Sequence, residues 1–176
     1  MEDHTLFTRY DAEIMDGEHD DTTVGKMLFI HVNGELLCSH DDPLSALDDY
    51  EEQTHRCQPF ITEHGTFKRN IVKAINSLGR EIDEDDPYNL FVQDFILIDS
   101  IRIEPNHRNK VYGTNVINII KAKFPFTPIV LQPFPIDEPP TNCKPQLRRI
   151  KQWYAKRGFV RIQRSEMYVA CNVPLV

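Results

Sequence analysis

Residues 105–125, PNHRNKVYGTNVINIIKAKFP, set Arg108, Asn109 and Lys110 directly before Tyr112-Gly113-Thr114, where an apolar helix begins. A helix N-terminus already presents unpaired N–H groups and the positive end of its macrodipole. Basic side chains placed there suit a multiply charged anion, so the pattern offers a phosphate cradle. The same residues also fit an ordinary solvated turn ahead of an amphipathic helix. A second candidate is Asp99, in the run VQDFILIDSIRIEP. A carboxylate among aliphatic residues needs a hydrogen-bond partner or a proton to carry. Cys38-x-His40 and His55-x-Cys57 hold four zinc-ligand types, but their one-residue gaps are unlike the usual spacing, and no metal is expected. His107 suits a phosphate contact or a plain surface role. Cys143 has no evident base partner, so thiol nucleophilic chemistry is not expected.

These residues need elements to position them. Residues 1–25 are polar and acidic and are expected to be loose or a weak first strand. In KMLFIHVNGELLC, two apolar runs flank Asn33-Gly34, the pair favoured in a two-residue hairpin turn. DDPLSALDDYEE, 41–52, predicts a helix capped by Asp42, with Pro43 in its first turn and Leu44, Leu47 and Tyr50 at helical spacing. TFKRNIVKAINSLG, 66–79, predicts another, with Phe67, Ile71, Ala74, Ile75 and Leu78 on one face and Gly79 ending it. An acidic connector, 80–87, leads into the long strand closed by Pro105. Strict alternation there puts Leu97, Asp99, Ile101 and Ile103 on one face.

The helix after the basic turn carries a stripe of Val116, Ile117, Ile120 and Phe124. TPIVLQ, 127–132, is a short strand. Residues 133–145 hold five of the 12 prolines and predict a stiff extended loop. PQLRRIKQWYAKRG is a last helix, with Pro145 near its start and Gly158 past its end. FVRIQ and EMYVAC close the chain as two strands.

At 176 residues, 40% hydrophobic and 27% charged, the chain reads as one soluble domain able to bury its own core. The acidic N-terminus predicts no signal peptide, and no stretch predicts a membrane span. Four cysteines do not suggest a disulfide framework, so a reduced, cytoplasmic setting is expected. The net charge of −7 is unevenly divided. Residues 1–101 carry seven Lys/Arg against 23 Asp/Glu, and residues 102–176 carry 13 against four. The halves are therefore −16 and +9, as if shaped for two ligands of opposite sign, or for each other. The acidic total and the lack of interleaved aromatics argue against nucleic acid.

The order strand, basic turn, helix, short strand, then a helix ending WYAKRGFVRI resembles the GNAT superfamily of acyl-CoA-dependent N-acetyltransferases, over about residues 92–172. The family's Arg/Gln-x-x-Gly-x-Gly/Ala turn falls on Arg108, Val111 and Gly113, with valine in place of the first glycine. Its aromatic-Tyr-x-x-x-Gly-Phe block is intact from Trp153-Tyr154 to Gly158-Phe159. The resemblance implies a single α/β domain, 1–176, with a mixed, largely antiparallel sheet and helices on both faces. Residues 92–176 would bind acetyl-CoA and 1–91 would form a divergent acceptor side, since the clearest hairpin here precedes both helices. The cofactor residues implied are Arg108, Asn109, Lys110, Val111, Tyr112, Gly113 and Thr114 at the pyrophosphate, and Ile101, Arg102 and Ile103 along the pantetheine arm.

Tyr154 takes the family position of the acid that protonates the leaving thiolate. A glutamate often found near the Leu97 position is absent, which leaves Asp99 as the base. The implied reaction is direct acetyl transfer to a primary amine; a non-catalytic CoA-binding or interaction module is the alternative. The acidic half adds a cationic acceptor to these expectations: a polyamine, an aminoglycoside-like compound or a basic peptide.

Overall fold

β-Branched and aromatic residues near the start of the chain build a hairpin. Strand β1 (Phe7–Met15) runs antiparallel to β2 (Thr23–Val32), with Phe7 opposite Val32 and Ala12 opposite Met27. In this computed structural model, residues 5–17, 22–50, 52–79, 82, 94–135 and 144–171 are described. Most of the acidic connector, much of the proline-rich loop with Cys143, and the first residues of the predicted long strand lie outside them.

Of the two expectations for the first segment, a strand is what forms, over nine residues. Asn33-Gly34, however, does not turn a hairpin: β2 ends at Val32 and Asn33 caps α1 (Gly34–Cys38). The Asn33 side-chain oxygen accepts from Leu36 N at 3.0 Å, with Asn33 extended at φ −79°. A type I′ turn would need positive φ there. The cap wins because β2 already has partners on both edges, and α1 can bury Leu37 completely.

Three more helices follow: α2 (Pro43–Tyr50), α3 (Glu52–His55) and α4 (Arg69–Asn76). Asp42 caps α2 as expected, its carboxylate accepting from Ser45 N at 3.0 Å. Ile71, Val72, Ala74 and Ile75 are the buried side of α4, and Gly79 takes φ +89° just beyond it. Phe67 is buried too, but in a bridge to Ile61 before the helix starts.

The long strand is β3 (Phe95–Ile103). A 3₁₀ turn, Pro105–His107, leads to α5 (Tyr112–Lys123), then β4 (Ile129–Leu131), α6 (Lys144–Ala155), β5 (Val160–Arg161) and β6 (Tyr168–Ala170). The six strands form one sheet in the order β1-β2-β3-β4-β6-β5, parallel only at β3–β4. The fold is thus α/β with a mixed, largely antiparallel sheet. Its two faces carry separate apolar clusters. One joins Leu37, Leu47, Phe60, Ile71 and Ile75 to Ile30, Phe95, Leu97, Val130 and Val169. The other joins Val116, Ile117 and Ile120 of α5 to Phe29, Ile96, Ile98, Ile129 and Leu131. Trp153 and Tyr154 of α6 pack at its margin.

β3 departs from strict alternation. Phe29 faces Ile98 and Leu28 faces Ser100, so Asp99 is an extra residue, a β-bulge. Leu97 therefore packs on the α4 side, while Ile101 and Ile103 pack on the α5 side. The expected shared face of Leu97, Asp99, Ile101 and Ile103 is broken at the aspartate itself.

Candidate functional site

The β3–β4 pairing stops at Ile98 opposite Leu131. β3 continues against β2 to Ile103, while the chain after β4 leaves the sheet as Gln132–Phe134. Between them opens a cavity of about 670 Å³ lined by Arg56, Asp99, Ser100, Gln132, Phe134 and Tyr154, with Ile98, Ile101 and Leu131. Asp99 and Tyr154, 55 residues apart in the sequence, thus share one wall-to-wall space. Ile101 lines it as well. Arg102 and Ile103 lie farther along β3, and neither lines it.

Asp99 reaches this position through the bulge, which re-aims its side chain out of the regular pleat. Its carboxylate is largely buried, at 14% exposure, and meets Arg56 Nη1 at 3.5 Å. Arg56 was not singled out in the sequence, where it is one of seven Lys/Arg in the acidic half. It sits between two buried anchors: Thr54, whose hydroxyl donates to the Leu47 carbonyl, and Cys57, which is fully buried. Burial pushes the Cys57 thiol far above its usual value, partly offset by Arg56, so that thiol is inert. The other residues of the Cys-x-His and His-x-Cys pairs, for which no metal was expected, have contacts elsewhere. Cys38 donates to Gly65 O, the His40 ring accepts from Asp42 N, and His55 pairs with Asp48 at 2.8 Å. Among the described residues no three metal-ligating side chains converge.

Tyr154 stands on α6 with Trp153 and Phe159 edge-on at 4.8 and 5.3 Å. Burial among these rings pushes its phenol up to about 12, with the Arg157 guanidinium pulling the other way. The phenol therefore stays a proton donor through the neutral and mildly alkaline range.

The turn of residues 108–114 adjoins this space through α6. A Cβ added to Gly113 would lie 3.2 Å from the Trp153 ring, so α5 and α6 touch there because the residue is glycine. α5 begins without a side-chain cap or an acidic residue in its first turn. Its first amides, at Tyr112, Gly113 and Thr114, have no intrahelical acceptor. The basic residues divide in role. Arg108 turns back, donating from Nε to Ile103 O at 2.9 Å and fastening the turn to the end of β3. Lys110 is exposed. The left-handed residue is Asn109, at φ +60°, whereas Val111 is helical at φ −77°. Valine in the family's glycine position is therefore unstrained, and its side chain is 63% exposed.

Arg157 was also missed. It stacks 3.7 Å from the Trp153 ring centroid and donates from Nη1 to Trp153 O, while Nε reaches the Thr114 hydroxyl at 3.1 Å. It brings a cation to the first turn of α5 and pins that turn to the end of α6. Its Lys-Arg-Gly setting after the Trp-Tyr pair was the signal available. The reason for it is tertiary.

No protein-family model, no curated protein and no solved structure matches this chain.

Proposed function

We propose that this protein has a GNAT-type fold and transfers an acetyl group from acetyl-CoA to a primary amine in a ternary complex. The observation that carries the reading is the gap between β3 and β4, where Asp99 and Tyr154 line one cavity beside an uncapped, basic helix start. An uncapped N-terminus flanked by Lys110 and Arg157 suits a pyrophosphate, held by the amides of Asn109 to Thr114 and by Lys110. Among the described residues β4 follows β3 only as far as Ile98, and the stretch beyond it suits the extended pantetheine arm, near Ile101 to Ile103.

In this reading the amine first sheds a proton, with Asp99 as acceptor directly or through water. The free amine nitrogen attacks the thioester carbonyl carbon. As the tetrahedral adduct collapses, the C–N bond is kept and the C–S bond breaks. Asp99 has by then released the first proton to solvent. Tyr154 gives its own proton to the departing thiolate, and the second amine proton, shed by the adduct, returns through water to the phenolate. A phenol raised to about 12 is a weak acid for an ordinary thiolate. Burial raises the thiolate's proton affinity in the same cavity, which brings the two closer. A reducing, cytosolic setting belongs to this reading, since four cysteines do not suggest a disulfide framework.

The high phenol pKa and the Arg56 contact on Asp99 favour one second reading, a CoA-binding module without turnover. Thermal shift with acetyl-CoA, followed by thiol-release assays on an amine panel, separates them. The transferase gives stabilisation by acetyl-CoA and amine-dependent CoA release; the module gives stabilisation alone. Lys110→Glu should weaken the cofactor about tenfold or more while the apo protein keeps its melting temperature. Unchanged affinity in that variant removes the turn from the site.

A further inference from the structure

We propose that Arg56 and Asp99 together read an α-amino carboxylate, so that the acceptor of the transfer is an amino acid. This rests on the acyl-transfer reading above and narrows its acceptor to one class. Among the described residues the cavity lining holds one cation and one anion, and they stand side by side. Their contact is loose: 3.5 Å is longer than a good N–H···O bond, and a guanidinium has five donors to place. Arg56 is 39% exposed, while its chain neighbours Thr54 and Cys57 are buried, so the backbone holds it at the wall with its head group facing the space.

An α-amino acid carries an ammonium and a carboxylate one carbon apart. That arrangement complements an adjacent carboxylate and guanidinium: Asp99 takes the ammonium, and Arg56 takes the carboxylate in the paired geometry for which guanidinium is suited. The same placement leaves the nitrogen next to the group assigned to accept its proton. Ser100 and Gln132 add neutral hydrogen-bonding capacity, and Ile98, Leu131 and Phe134 offer apolar surface for an aliphatic chain. An amine lacking the carboxylate leaves Arg56 with only its loose partner. A site built around a polar contact rejects such an analogue far more strongly than one that merely misses a methylene.

The test uses the full chain with acetyl-CoA and matched acceptor pairs: arginine with agmatine, and leucine with isopentylamine. Wild type should favour each amino acid over its decarboxylated partner by about 10- to 100-fold in kcat/KM. Arg56→Gln should collapse that ratio by raising KM for the amino acid alone, with acetyl-CoA affinity unchanged; Arg56→Lys should keep part of it. Equal loss for both members of a pair would assign Arg56 to holding Asp99 and overturn the proposal. So would wild-type preference for the decarboxylated amines or for polyamines, with acetyl transfer itself left standing. Absence of both acetyl-CoA binding and turnover with every acceptor removes the transferase reading, and this proposal with it.

Discussion

The phenol of Tyr154 acts, in the proposed reaction, at the moment the thiolate departs. Tyr154→Phe should therefore leave acetyl-CoA affinity nearly intact and lower kcat by about 10²–10⁴-fold. The raised pKa gives this a pH signature. A phenol near 12 stays protonated below that value, so the wild-type profile should show no falling limb from it near the ordinary value of about 10. A limb near 10 that vanishes in Tyr154→Phe would contradict the burial argument. At Gly113 the sequence pattern pointed to phosphate approach, whereas the nearest neighbour of an added Cβ is Trp153 at 3.2 Å. Gly113→Ala should cost no more than about 1 kcal/mol by urea unfolding, because alanine's better helix propensity offsets much of the small shift it asks of that ring. Lys110, exposed on the turn, reports on the anion without that packing penalty.

Among the elements, the hairpin and the caps carry the clearest lesson. Asn33-Gly34 fits two local structures, a type I′ turn and a helix start, and residue types do not choose between them. Asn33→Ala should cost about 1 kcal/mol, as loss of a cap does, while Asn33→Gly should cost only a few tenths. Matched urea curves for the two variants check this. Asp42 and Pro43, by contrast, have a single local use, and the α2 start was legible. α5 was legible through its stripe although β-branched residues at Val116, Ile117, Ile119 and Ile120 weaken its propensity. Val116, Ile117 and Ile120 are buried against the sheet, which supplies what propensity lacks. The bulge at Asp99 was invisible: one extra residue in a strand depends on how its neighbour is registered.

Over the whole molecule, the charge division bears on the acceptor. The −16 half concentrates cations at long range, whereas the cavity wall itself pairs Asp99 with Arg56. Part of the acidic surface is committed internally, as Asp48 is to His55 and Gln58, and Asp94 to His31 and Gly34 N. The long-range field should still favour amino acids with basic side chains. Their kcat/KM should exceed that of neutral ones and fall as salt rises, with the gap narrowing beyond a Debye length of about 8 Å at 0.15 M. A gap indifferent to salt would leave side-chain preference to the cavity alone. Among the described residues no helix is long and apolar enough to cross a membrane.

The amino-acid sequence by itself determined the elements whose causes are local. Helical stripes, the Asp42 cap, the glycines at 79 and 158 and the order of strands and helices after Phe95 all follow from spacing and backbone preference. It also singled out Asp99 and Tyr154, the first as a carboxylate among aliphatics and the second through its aromatic block. The tertiary structure alone decided that these two share a cavity, because that depends on β3 and β4 parting after Ile98. It alone decided that Arg56 joins them, that Arg157 binds the Thr114 hydroxyl while Arg108 turns back to β3, and that Asn109 rather than Val111 carries the left-handed turn. Each of these is a contact or a backbone angle set by segments distant in sequence. Periodicity and propensity describe a residue against its near neighbours, and carry no information about which distant segment will face it.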